Sequence, residues 1–178
     1  MHCNNLKESK QISTGLSRLT DYKISTVSIW FCDVEPTIKS DAFKGPVIDE
    51  ITFSYSTVYV ENPPFKGQEN SLKKLTFLFC FDEEDFVNSW SLSHLNNLKE
   101  VSFEKNDIKV LKNDWITSAG PNLRTVTFDN CKLEELEDKV FAKLEGLTTL
   151  FLMDNKISTL KRSMFPTPAE NLRSISMR

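Results

Sequence analysis

No stretch of this chain approaches the eighteen or so consecutive apolar residues that cross a bilayer, so no membrane span is expected. The first residues, Met1-His-Cys-Asn-Asn, have no apolar centre of the kind that marks a leader peptide. A basic excess is also missing. With 22 Lys and Arg against 25 Asp and Glu the formal charge is −3, and no basic stripe stands out, which argues against a nucleic-acid partner. Histidine is reduced to His2 and His94, neither in HExxH nor beside a Ser or Cys nucleophile with an orienting acid. The patterns GxSxG, GxxxxGK[ST] and GxGxxG are absent. Neither a cofactor nor catalysis is therefore expected. There is no N-x-[ST] acceptor for N-glycosylation.

What is present is a period. Leu123-Arg-Thr-Val126-Thr-Phe128-Asp-Asn-Cys131-Lys-Leu133 spaces its apolar residues by three, two and five, which no single helix face accommodates. The spacing suits a short strand with alternating inward side chains, then a turn that returns Cys131 and Leu133 to the same core. Leu98-Val101-Phe103-Asn106-Ile108 lies 25 residues upstream, and Leu147-Leu150-Leu152-Asn155-Ile157 lies 24 downstream. Extension gives Leu72-Leu75-Phe77-Cys80, Ile48-Ile51-Phe53-Ser56-Val58 and Ile24-Val27-Ile29-Cys32-Val34, then an unfinished Leu172-Ile175-Met177. The chain thus divides into a capping segment (1–23), six leucine-rich repeats (24–47, 48–71, 72–97, 98–122, 123–146, 147–171) and a truncated seventh (172–178). The expected fold is an α/β solenoid, with a curved parallel sheet on the concave face and loops, 3-10 turns or short helices on the convex face.

Residues not used to find the period agree with it. All seven prolines and all five glycines fall between the strand-and-turn windows, as a stacked parallel sheet requires of a residue that cannot donate. Leu111, Leu136 and Leu160 share a position in the return segments, and Ile116, Phe141 and Phe165 share another, which places these aromatics in the convex part of the core.

The ninth position reads Cys32, Ser56, Cys80, Asn106, Cys131 and Asn155, an inward ladder of small donors for carbonyls turned in between coils. Replacing Asn106 or Asn155 by alanine should cost roughly 1–3 kcal/mol. The ladder cysteines lie two coils apart, about 10 Å at a strand spacing of about 4.8 Å, which is beyond disulfide reach, so buried thiols are expected. Neither a CxxC pair nor a histidine accompanies them, and no metal site is expected.

The outward positions carry whatever function there is. The fifth column, Ser28, Thr52, Thr76, Ser102, Thr127, Phe151 and Ser176, suits a solvated β face. The seventh and eighth columns divide the molecule. Trp30, Phe31, Tyr55, Leu78 and Phe79 form an apolar patch in the first half, whereas Glu104 and Asp129 begin a charged second half. Such a patch reads either as a protein interface or as a surface covered by the N-terminal segment or by stacking between its own aromatics.

The third repeat departs from the rule. Asp82-Glu83-Glu84-Asp85 stands where an apolar eleventh position belongs, and it reads as a solvated loop because the EF-hand spacing for calcium is missing. Phe86 and Trp90 are expected to re-enter the core after it. Ile12, Leu16 and Leu19, with Leu6, have helical spacing and suggest a short amphipathic helix over the first coil. The open seventh repeat, with Leu172, Ile175 and Met177, suggests a fragment of a longer solenoid.

The repeats resemble the typical 24-residue leucine-rich-repeat class of extracellular proteins. More narrowly, Gly15-Leu-Ser-Arg-Leu-Thr-Asp-Tyr-Lys-Ile24 and Met164-Phe-Pro-Thr-Pro-Ala-Glu-Asn-Leu172 resemble arthropod secreted relatives of the non-catalytic subunit of Oplophorus-luciferin 2-monooxygenase. The resemblance implies secretion, a disulfide cap in which Cys3 would take part, and no catalytic residues, although this chain has no partner cap cysteine. The expected function is extracellular protein binding on the concave face. A stabilising subunit of an oxidative enzyme, part of an innate-immune or cell-surface receptor ectodomain, and an intracellular adaptor are the alternatives.

Overall fold

A computed structural model of the chain describes residues 2–4, 8–30, 37–56, 58–81 and 90–177. In order these form β1 (His2–Asn4), α1 (Ser9–Ser17), β2 (Lys23–Trp30), β3 (Val47–Ser54), β4 (Lys74–Leu78), β5 (Trp90–Ser91) and β6 (Glu100–Glu104). Then come β7 (Val110–Leu111), β8 (Ile116–Ser118), β9 (Thr125–Asp129), β10 (Glu135–Leu136), β11 (Thr149–Phe151), a 3-10 turn (Arg162–Met164) and β12 (Ser174–Ser176). Eight strands form one sheet in the order β1-β2-β3-β4-β6-β9-β11-β12, every pair parallel. The chain is a leucine-rich-repeat solenoid of the kind its period predicts.

The register reproduces the spacing residue for residue. Ile24 pairs with Ile48 and Val27 with Ile51; then Ile51 pairs with Leu75, Leu75 with Val101, Val101 with Val126 and Val126 with Leu150. A slip of one residue would turn each inward side chain out to water, so the apolar columns hold the register. The sixth column is the centre of the core. Phe53, Phe77, Phe103 and Phe128 lie flat on one another, with centroids 5.5, 5.2 and 4.8 Å apart and planes within 14°. Trp115 closes on Phe103 and Phe128 edge-on from the return segments, and its indole N–H donates to Val140 O at 2.9 Å.

The return segments are less helical than expected. Besides α1 and the 3-10 turn, the described residues stack there as two short parallel pairs, β7 with β10 and β5 with β8, plus a bridge between Ile38 and Val60. Coil n therefore hydrogen-bonds to coil n+1 on both sides of the core. Gly120 is required by this closeness, since a methyl group there would lie 2.7 Å from Leu95 O. Leu111, Ile116, Leu136, Phe141 and Phe165 are buried and Leu160 is half-buried, as their columns predict.

The N-terminal segment is more than a cap. Ile12 and Leu16 of α1 are buried against the core, as expected, but β1 extends the main sheet, with Cys3 in register with Ile29. The segment before the first repeat thus continues the strand-and-return pattern. At the other end Ile175 and Met177 are about two-fifths exposed (38% and 41%). Asp82, Glu83, Glu84, Asp85 and Phe86 lie outside the described residues.

Candidate functional site

The inward ladder is structural. Asn106 Oδ1 accepts from the N–H groups of Cys80 and Phe81 at 2.7 and 3.0 Å, and its amide donates to Phe77 O and Glu104 O. Asn155 repeats the arrangement one pair of coils on, accepting from Cys131 and Leu133 and donating to Phe128 O and Met153 O. Ser56 donates to Ser54 O at 2.9 Å. The thiols of Cys80 and Cys131 donate to carbonyls, Cys80 to Leu78 O and Cys131 to Phe103 O and Asp129 O. Burial pushes both thiols up to about 12, so neither is a nucleophile at neutral pH. Both are free, as their spacing predicted. Cys32 lies outside the described residues. No group of three His, Cys, Asp or Glu side chains is arranged to hold a metal ion among the described residues.

The outward face is where the expected site residues meet. In register across the sheet run Trp30, Ser54, Leu78, Glu104 and Asp129. Beside them, one residue further along each coil, stand Tyr55, Phe79, Lys105, Asn130 and Asp154. All five of these eighth-column residues have left-handed backbones, with φ of 51, 54, 53, 50 and 53°. The cause is the coil itself. The N–H groups of Tyr55, Phe79, Lys105 and Asn130 still donate to the seventh-column carbonyl of the next coil, and the chain must then turn sharply to send the ninth side chain inward.

Asn and Asp tolerate this conformation; Tyr, Phe and Lys do not favour it, at about 1–2 kcal/mol each. Tyr55 and Phe79 nevertheless occupy it, 43% and 42% exposed, with rings stacked at 4.7 Å and 16°. Trp30 leans on Tyr55 at 6.3 Å, and Lys105 Nζ stands 5.7 Å over the Phe79 ring. The stack returns about 0.5–1.5 kcal/mol, which does not offset the strain of two aromatic residues.

Two expectations are corrected here. Trp30 and Leu78 are half-buried instead of exposed, and the seventh-column Ser54 is 1% exposed because a small side chain there stands between two large ones. The fifth column is also less solvated than its composition implies, with Ser28 and Ser102 buried and the Ser102 hydroxyl donating to Glu104 at 2.7 Å. Phe31 lies outside the described residues.

Past Phe79 the face turns acidic. Glu104 and Asp129 are half-buried, and Asp154 is exposed. Burial, then repulsion from Asp154 and Glu104, raises the Asp129 carboxyl above the ordinary range, against a weaker pull from Lys105. Asp129 Oδ1 is shut off from solvent with no hydrogen-bond donor. Lys74, one coil before Glu100 and in register with it, is tied to that residue at 2.7 Å.

Lys105 and Asp154 were not among the residues singled out from the sequence. The signal was present in Asn130 and Asp154, both of types that accept a left-handed backbone at one repeating position. Gln68 was also missed. Wholly buried, it accepts from Ile48 N–H and the Ser71 hydroxyl and donates to Phe43 O and Pro46 O, pinning a return loop to the next coil.

Residues 21–144 match the family model described as BspA type Leucine rich repeat region (6 copies), and residues 121–177 match the model described as Leucine rich repeat. No curated protein and no solved structure matched, so the narrower resemblance to a luciferin-monooxygenase subunit gains no support. With more than half of the chain matched and its coils in register from β2 to β12, the protein belongs to the BspA-type leucine-rich-repeat family.

Proposed function

We propose that this chain is a non-catalytic protein-binding module that works outside the cell and holds its partner on the outward face of the main sheet. The observation behind this reading is the Tyr55–Phe79 stack. Two large aromatics are exposed at positions where the backbone disfavours them and where Asn130 and Asp154 serve two other coils. Strain of this kind persists where the side chain has a use other than folding. Partly exposed tyrosine and tryptophan side chains are also among the residues that most often dominate protein interfaces. The two described ladder thiols, held at about 12, are not available as nucleophiles at neutral pH. No described helix is long and apolar enough to cross a membrane.

The test is a Tyr55→Asn/Phe79→Asn double variant, because asparagine accepts the left-handed backbone and keeps the fold. Wild type, the double variant and Lys112→Ala on a return segment are immobilised and exposed to extracellular fluid from the source tissue. Proteins kept by wild type and by Lys112→Ala should fall at least about fivefold on the double variant, with circular dichroism unchanged. Equal retention by all three would remove the aromatic face as the binding surface.

A further inference from the structure

The outward face of the main sheet is two-sided, apolar up to Phe79 and acidic from Glu104 onward, and the halves meet where Leu78 pairs with Glu104 and Lys105 stands 5.7 Å over the Phe79 ring. We infer that its occupant is an extended polypeptide segment in which an aromatic or large apolar residue is followed three residues later by Lys or Arg, the first lying on Tyr55 and Phe79 and the second reaching Glu104, Asp129 and Asp154. This rests on the protein-binding reading above and adds the chemistry of the partner.

Three observations give the segment its character. The stacked Tyr55 and Phe79 rings, with Trp30 on one side and Lys105 on the other, turn their edges outward as an apolar ridge, which suits an aromatic or large apolar side chain packed across it. The acidic half has no ion pair of its own. Among the described residues Glu104, Asp129 and Asp154 make no salt bridge, Lys74 is committed to Glu100, and Lys105 stands over the Phe79 ring. Finally Asp129 is half-buried and repelled by Asp154 and Glu104, a cost that an ammonium or guanidinium group placed among the three carboxylates relieves. A neutral glycan would stack on the same rings but leave the mutual repulsion of the carboxylates in place, so the charge pattern favours a basic peptide.

Spacing follows from the solenoid. From the Phe79 coil to the Asp129 coil is two strands, about 10 Å, and an extended chain advances about 3.3 Å per residue, which gives three residues when it runs across the strands. Lys105 lies between the two halves and faces the backbone carbonyls of the intervening residues.

A position-scanning library of nonapeptides, each with one fixed tryptophan, is bound to the immobilised chain at about 50 mM and about 500 mM NaCl. Wild type should select Lys or Arg three positions after the tryptophan and lose about tenfold of that binding at the higher salt. Glu104→Gln/Asp129→Asn/Asp154→Asn should abolish the basic preference and keep the aromatic one, whereas Tyr55→Asn/Phe79→Asn should do the reverse. Selection of acidic residues, or no positional preference while wild type still retains partner proteins that the aromatic double variant loses, overturns the chemistry but leaves the protein-binding reading intact. Binding of a neutral oligosaccharide array that depends on Tyr55 and Phe79 but not on the carboxylates overturns it in favour of a glycan ligand. Absence of both peptide selection and partner retention overturns both.

Discussion

Replacing Asn106 by alanine removes four hydrogen bonds at a position only 2% exposed. The loss is uneven across the four. Glu104 O also accepts from Phe79 N–H, so it keeps a partner. The N–H groups of Cys80 and Phe81 belong to residues 4% and 6% exposed and have the amide oxygen as their acceptor. Two stranded buried donors cost about 1–3 kcal/mol each, so the substitution should destabilise the protein by roughly 2–6 kcal/mol. That is a large part of the 5–15 kcal/mol typical of a folded domain. Asn155→Ala breaks the same pattern of four bonds and strands the N–H groups of Cys131 and Leu133, both 0% exposed, so the cost should again be roughly 2–6 kcal/mol. Urea unfolding read both by circular dichroism and by tryptophan fluorescence, which Trp115 reports from inside the core, gives both values where the two transitions coincide. A change below about 1 kcal/mol for either variant would refute the view that the ladder amides act by satisfying buried donors.

Two further outcomes follow from the charges. The folded state raises the Asp129 carboxyl, so it holds its proton more tightly than the unfolded chain does; stability contributed by this group is therefore lost as pH rises from its ordinary value of 3.8 through its raised one. Asp129→Asn should then raise the melting temperature near neutral pH and leave it unchanged well below the ordinary value, and a lower melting temperature at neutral pH would contradict the assignment. For Cys80 and Cys131, held near 12, iodoacetamide at mildly alkaline pH should label neither until urea opens the coils; mass spectrometry showing equal native and unfolded rates would mean that the thiols are not enclosed.

The scaffold was legible because burial is demanding. Each coil must present apolar residues at fixed intervals, so Val101, Val126 and Leu150 disclose their alignment without any coordinates. The same holds for the ladder, where Asn106 and Asn155 do what an inward amide has to do. Features governed by backbone shape were harder to read. The left-handed eighth column is occupied by Tyr55, Phe79 and Lys105, none of which advertises that conformation, and only Asn130 and Asp154 hinted at it. β1 escaped notice because His-Cys-Asn carries no apolar alternation, and its place is apparent only from pairing with β2. Gln68 could not be recognised as a buried hub because its four partners come from segments 3 to 25 residues away with no repeating spacing. The binding face was half legible: composition singled out the aromatic and acidic residues, but that they adjoin, with Lys105 between, depends on the turn.

Four phenyl rings stacked like coins through successive coils have a mechanical consequence. In a linear array, cooperativity is set by the ratio of neighbour coupling to the stability each unit has alone. The coil pairs joined by that column should melt as one block, whereas coils whose sixth residue is Ile29 or Leu152 are coupled only through aliphatic contact and should fray first. The stretch that presents Tyr55, Phe79, Lys105 and Asp129 lies inside the block, so the middle of the docking face should stay whole while Trp30 and Asp154, on the flanking coils, breathe.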